Sequence, residues 1–89
     1  MKPRIVIPEV APQAYQALMN LEKYISTTSL TSTHKELIKI RASQINGCAF
    51  CINMHTADAR KQGETEQRIY LTTAWREADV FTEEEKAIL

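Results

Sequence analysis

The sequence lacks the features that mark secreted, membrane and nucleic-acid-binding proteins. Two cysteines in 89 residues are too few for the disulfide framework of a small secreted domain. Eleven basic side chains balance eleven acidic ones, so no net charge attracts nucleic acid or an anionic membrane. No apolar run approaches the roughly 18–20 residues of a membrane span, and the basic-then-apolar stretch 4–8 is too short for a signal peptide. These absences predict a cytoplasmic domain with no membrane and no nucleic-acid partner.

Glycine is also scarce, and its two positions, Gly47 and Gly63, do not form a phosphate-binding loop. We therefore expect no nucleotide or flavin cofactor, and no metal is demanded. The apolar residues recur at helical spacing almost throughout, and no alternating strand pattern extends beyond residues 5–7. The length allows one domain, residues 1–89, of all-α class.

Two helices are predicted in the first half of the chain. One begins near Pro12, since proline suits the first turn of a helix, and its apolar stripe ends at Ile25. The next begins with a capping box in which Thr33 is the cap and Glu36 lies three residues further on. It is expected to end near residues 44–45, before the stop signal Asn46-Gly47, with four residues facing inward: Leu37, Ile38, Ala42 and Ile45.

Three further helices are predicted after Gly47. The third starts around Cys48 and ends at Gly63. The fourth is capped by Thr65 and carries Ile69, Tyr70, Thr73 and Trp75. A second capping box, Thr82-Glu83-Glu84-Glu85, opens a fifth helix that ends at Leu89 with apolar, uncapped residues. This last helix is expected to be truncated or to depend on a neighbouring subunit.

The motif Cys48-x-x-Cys51, followed by His55, carries the chemistry. On a helix, Cys48 and Cys51 lie roughly 60° apart and Cys51 and His55 roughly 40° apart, so Cys48 and His55 are nearly in line. The first turn of a helix stabilises an anion, and a helix start or a neighbouring imidazole lowers the pKa of a thiol. A C-x-x-C pair can also close into a disulfide with little backbone movement. The pattern predicts a redox-active dithiol.

Simpler interpretations exist for each of these residues. The cysteines can be small buried hydrophobes, and His55 can be an ordinary core histidine. Cys48, Cys51 and His55 supply three ligands for structural zinc, but no second Cys/His pair completes a closed site. The capping box alone explains Glu36. His34, Tyr70 and Trp75 are assigned no chemistry.

From about Pro12 onward, the sequence resembles the AhpD-like group of the carboxymuconolactone decarboxylase superfamily. The resemblance rests on Glu36, the segment 43–60 with its C-x-x-C and His55, and the later segments 63–66, 74–78 and 81–83. It implies an AhpD-like helical bundle that assembles as a homo-oligomer, a trimer or a hexamer. It also implies an alkylhydroperoxidase or related thiol-disulfide activity, whereas the decarboxylase branch lacks this dithiol.

The resemblance also implies roles for individual residues. Cys51 would be the attacking thiol and Cys48 the resolving thiol, with His55 and Glu36 relaying protons to and from Cys48. One departure concerns Phe50, because the best-known peroxidase members have a histidine immediately before the second cysteine. A phenyl ring cannot transfer a proton, so that part of the relay is missing or supplied otherwise.

Two functional hypotheses follow. In the first, a hydroperoxide oxidises Cys51 to a sulfenic acid, Cys48 closes the disulfide, and an external dithiol restores the pair. In the second, the protein is a non-enzymatic, redox-sensing oligomer whose Cys48–Cys51 disulfide modulates assembly. Peroxide turnover and subunit association under reducing and oxidising conditions distinguish the two.

Overall fold

The computed structural model describes Lys2 and residues 4–89, and the secondary structure of this part of the chain is entirely helical. Its six α-helices and one 3-10 turn confirm the all-α class. The helices are α1 (Ile7–Val10), α2 (Pro12–Ile25), α3 (Ser32–Asn46), α4 (Ala49–Lys61), α5 (Glu66–Leu71) and α6 (Glu83–Ile88), and the 3-10 turn Thr72–Ala74 follows α5 directly. None of these helices is long and apolar enough to cross a membrane.

The chain forms two compact units, one ending at Leu30 and the other running from Thr31 to Leu89. The first unit contains α1 and α2. Helix α2 begins at Pro12 as predicted, and Pro8 lies in the first turn of the unpredicted helix α1. No residue of α2 is buried, so its apolar stripe lies on the surface of the chain.

The second unit contains the core. Leu37 and Ile40 of α3 are completely buried, and Ile40 clusters with Ala59 of α4 and Ile69 of α5. Helix α3 packs on α4, on the 3-10 turn and on α6. Because α3 contacts three other elements, it is the central helix of this unit.

The predicted capping box at the start of α3 is wrong. The N-cap is Thr31, whose side-chain oxygen accepts the N–H of His34 at 3.0 Å, and Thr33 already lies inside the helix. An extended backbone at Thr31 lets its hydroxyl satisfy one of the unpaired N–H groups at the helix start. Glu36 consequently lies in the second turn, too far along the helix to complete a capping box.

The predicted inward face of α3 is partly wrong. Leu37 is buried and Ile38 is half-buried, but Ala42 and Ile45 are exposed. The buried face instead includes Ile40 and two polar residues: Glu36 and Ser43. Ser43 tolerates burial because its hydroxyl donates to the carbonyl of Lys39 at 2.6 Å. The apolar pattern misses this face because half of it is polar.

The later helices agree more closely with the helices predicted from the sequence. Thr65 caps α5, and Thr82 and Glu85 form both bonds of the predicted capping box at α6. Two boundaries differ: α4 ends at Lys61, with Gln62 as its C-cap, and the predicted fourth helix changes to a 3-10 turn at Thr72 before it reaches Trp75. Thr72 is fully buried, and its hydroxyl donates to the carbonyl of Ile69.

The guanidinium of Arg68 joins several elements of the second unit. Its Nε donates to Glu64 at 2.7 Å, and its terminal nitrogens donate to both carboxylate oxygens of Glu85 and, at 2.6 Å, to the carbonyl of Val80. It also lies over the ring of Phe81, 5.0 Å from the centroid. One side chain therefore ties α5 to α6 and to the segment between them.

Candidate functional site

The connection between α3 and α4 consists of only two residues, Gly47 and Cys48. Gly47 has a φ of 64°, in the left-handed region that glycine adopts without strain. The N–H of Gly47 donates to the carbonyl of Gln44, and the N–H of Cys48 donates to that of Ser43, which together form a Schellman motif. The same Cys48 is the N-cap of α4. This double role fixes the first cysteine at the junction of the two helices.

Cys48 and Cys51 form a disulfide at the start of α4, with Cα atoms 5.3 Å apart. The backbone N–H of Cys51 donates to Sγ of Cys48 at 3.2 Å, so the sulfur takes the place of a capping oxygen. Both cysteines are half-buried. The predicted location at a helix start is confirmed. However, Cys48 has extended backbone angles and precedes the helix, so helical periodicity relates only Cys51 to His55.

Glu36 of α3 and His55 of α4 meet across the packed pair of helices. Oε2 of Glu36 lies 3.6 Å from Nδ1 of His55, and the side chains are 12% and 18% exposed. Both atoms are buried, and neither has a hydrogen-bond partner among the described residues. A separation of 3.6 Å is too long for a direct hydrogen bond. The pair is thus a close polar contact with unused hydrogen-bonding capacity, one turn along α4 from Cys51.

Asp58 is a neighbour of this pair that sequence reasoning missed. One ligand atom from each of Glu36, His55 and Asp58 can be chosen so that all three lie within 4.8 Å of one another. Asp58 follows His55 by three residues and therefore shares its face of α4. That spacing is the signal in the sequence that could have identified it.

Three apolar side chains close to the cysteines in sequence are exposed. Phe50, which immediately precedes Cys51, is 59% exposed, and Ile45 at the end of α3 is 67% exposed. Met54 lies one turn beyond Phe50 on α4 and is also exposed. The residue immediately before Cys51 is consequently apolar and exposed, and Phe50 offers no group for proton transfer.

This arrangement combines two chemical capabilities. A disulfide at a helix start can be reduced to two thiols, and the positive end of the helix dipole favours their thiolate forms. The contact between an imidazole and a carboxylate can hold or pass a proton. In the disulfide form, the sulfurs are not available as thiolate ligands for a Cys₂His zinc site.

Comparisons with known proteins show the family of this chain. Residues 12–89 match the carboxymuconolactone decarboxylase family model. The uncharacterised protein YdfG of Bacillus subtilis (strain 168) is 56% identical over all 89 residues. A crystal structure from Agrobacterium tumefaciens, of a protein of unknown function described as a candidate antioxidant defence protein AhpD, superposes with a TM-score of 0.88 at 46% identity over 97% of this chain.

The family match covers most of the chain, and the chain therefore belongs to the carboxymuconolactone decarboxylase family, as an AhpD-like member. It spans 60% of the length of YdfG and 59% of the solved relative. The resemblance stated from the motif residues is thereby confirmed.

Proposed function

We propose that this protein is a thiol-dependent reductase of hydroperoxides that uses Cys48 and Cys51 as its redox pair. The observation that carries the proposal is the disulfide at the start of α4, one helical turn from a buried contact between Glu36 and His55. Membership of an AhpD-like family and the antioxidant description of the solved relative support the same activity.

The first step is oxidation of Cys51. Its thiolate attacks the distal oxygen of the hydroperoxide, so that an S–O bond forms as the O–O bond breaks. Cys51 becomes a sulfenic acid, and the alkoxide leaves as alcohol after it gains a proton. The exposed apolar side chains of Phe50 and Met54 favour an alkyl hydroperoxide over hydrogen peroxide, because they offer contacts to a hydrocarbon group.

The second step closes the disulfide. Cys48, deprotonated with help from His55, attacks the sulfur of the Cys51 sulfenic acid and displaces hydroxide, which leaves as water after protonation. Sγ of Cys48 accepts the N–H of Cys51, a position in which a helix start favours a thiolate. An external dithiol then reduces the disulfide and is itself oxidised, which completes a two-electron cycle.

Glu36 and His55 are the proposed proton relay. A carboxylate 3.6 Å from the imidazole can orient the ring and stabilise its protonated form. The gap between the two atoms leaves the contact able to tighten or to include a water molecule during turnover. In this scheme Cys51 is the nucleophile and Cys48 is the resolving thiol. Glu36 and His55 relay protons to and from Cys48.

The activity is tested by consumption of tert-butyl hydroperoxide with dithiothreitol as reductant. We expect Cys51→Ser to abolish consumption, because no sulfenic acid can form. Reduced Cys48→Ser, separated from dithiothreitol before the peroxide is added, should consume one equivalent and stop, leaving a sulfenic acid that a dimedone probe labels. The matched control is Ala49→Ser, which introduces the same residue at an exposed position between the cysteines and should retain the parent rate. Parent rates in both cysteine variants would overturn the assignment.

We also propose that the working form is a homo-oligomer. The apolar side chains of α2 support it, because Leu18, Leu21 and Tyr24 are each more than half exposed and a second copy of the chain would cover them. Light scattering should then give three or six times the chain mass of 10.2 kDa. A mass that changes on oxidation, together with negligible peroxide consumption, would instead favour a redox-sensing module.

A further inference from the structure

We infer that Glu36, His55 and Asp58 form a binding site for a divalent transition-metal ion, with Zn²⁺ the best chemical match. The three side chains bring one ligand atom each to within 4.8 Å of one another. Two carboxylates and an imidazole are a ligand set that Zn²⁺ accepts, and three protein ligands leave a fourth position for water. The site lies between α3 and α4 and contains neither cysteine.

The unpartnered buried atoms point to a ligand at this place. Counted with its backbone, Glu36 is only 9% exposed, and its Oε2, like Nδ1 of His55, is buried with no hydrogen-bond partner in the described part of the chain. Buried polar atoms normally have partners. A cation shared between the two would satisfy both, and it would also offset the charge of two adjacent carboxylates.

The spacing of the two atoms fits metal coordination better than hydrogen bonding. Ligands about 2.1 Å from a tetrahedral metal lie roughly 3.4 Å apart. The 3.6 Å between Oε2 of Glu36 and Nδ1 of His55 is close to that value. Asp58 is half-buried on the next turn of α4, with a ligand atom within 4.8 Å of one from each of the other two residues.

Zinc bound here would engage both members of the proposed proton relay, so metal binding and relay function would compete. This consequence rests on the proposed function, whereas metal binding does not. Because no sulfur takes part, the site should bind Zn²⁺ even when Cys48 and Cys51 are joined, unlike a Cys₂His zinc site.

The test is calorimetric titration of the oxidised protein with Zn²⁺. Both cysteines are joined in this form, so thiols cannot contribute to binding. We expect one ion per chain and at least tenfold weaker binding in both Glu36→Gln and Asp58→Asn. Asp79→Asn makes the same change at an exposed aspartate outside the cluster and should bind like the parent. In proton NMR spectra, Zn²⁺ should shift the ring signals of His55 and leave those of His34 unchanged.

Three results would overturn the inference: no saturable Zn²⁺ binding, parent-like affinity in both the Glu36 and Asp58 variants, or Zn²⁺ shifts at His34 alone. Thermal unfolding of each variant establishes whether it is folded. If one of the two ligand variants does not fold, the other still decides the test. Peroxide consumption plays no part in this experiment, so its outcome is separate from that of the proposed function.

Discussion

Phe50 stands immediately before the nucleophile of the proposed reaction. Its ring is largely exposed at the start of α4, where it offers apolar surface but no proton-transfer group. The proposed relay is therefore limited to Glu36 and His55, two side chains whose contact spans α3 and α4. At the scale of single residues, the proposed chemistry depends on how much of the proton transfer this contact can supply.

A histidine at position 50 should raise the rate of peroxide consumption. We expect Phe50→His to increase the rate about tenfold at neutral pH, because general acid–base groups contribute at least that much when positioned. The control is Asn53→His, which adds an imidazole to an exposed residue of α4 that has no role in the proposed reaction. An equal rate increase in both variants, or none in Phe50→His, would contradict a role for position 50.

At the scale of elements, helix ends place the site. Thr31 caps the start of α3, Gly47 closes its end in a left-handed conformation, and the next residue, Cys48, caps the start of α4. Since Thr31 is the cap, Glu36 has no capping role. It lies on the buried face of α3. The two helix ends thus bring the disulfide and the Glu36–His55 contact onto one helix pair.

The corrected cap can be tested by stability. Thr31→Ala should lower the free energy of unfolding by about 1 kcal/mol, since the N–H of His34 loses its partner. Thr33→Ala should have little effect, because Thr33 is an exposed residue within the first turn and alanine favours helix. Urea unfolding of the two variants distinguishes a helix capped by Thr31 from a helix capped by Thr33. A larger loss in Thr33→Ala would restore the capping box inferred from sequence.

At the scale of the whole molecule, one ion-pair network joins distant parts of the second unit. Hydrogen bonds from Arg68, together with one from the backbone N–H of Thr82, lower the pKa of Glu85 from 4.5 to about 2, although burial opposes the shift. The pKa of Arg68 is raised, chiefly by its hydrogen bonds to Glu85. The network holds α6 against α5. None of its described hydrogen bonds involves the disulfide residues.

This network makes stability depend on acid pH. Because the folded-state pKa of Glu85 is depressed, its contribution is complete above about pH 4.5 and is lost as the pH falls toward 2. Glu85→Gln should cost about 3 kcal/mol at pH 7 by leaving part of the Arg68 charge unpaired. The difference from the parent should fall by more than half at pH 3, as urea unfolding at both pH values can show.

The matched control for this substitution is Glu84→Gln, which makes the same change at an exposed residue of α6. It should alter stability little at either pH, because exposed ion pairs contribute weakly. If the cost of Glu85→Gln were the same at pH 7 and pH 3, the ion pair would not be its source.

The sequence by itself determined the local features: the helical class, the starts at Pro12, Thr65 and Thr82, and the turn at Gly47. It also located the cysteine pair at a helix start. Each depends on groups a few residues apart, such as a cap oxygen and an N–H three residues further on. The helical spacing from Cys51 also selected His55, whereas only the family resemblance gave Glu36 a role in the site.

Only the tertiary structure decided which faces are buried and which side chains meet. The exposure of Ala42 and Ile45, the burial of Ser43, the 3.6 Å contact of Glu36 with His55, and the addition of Asp58 all depend on how α3 packs on α4. Arg68 reaches Glu85 across 17 positions of sequence. Such contacts depend on packing between helices, so the pattern within one helix does not specify them.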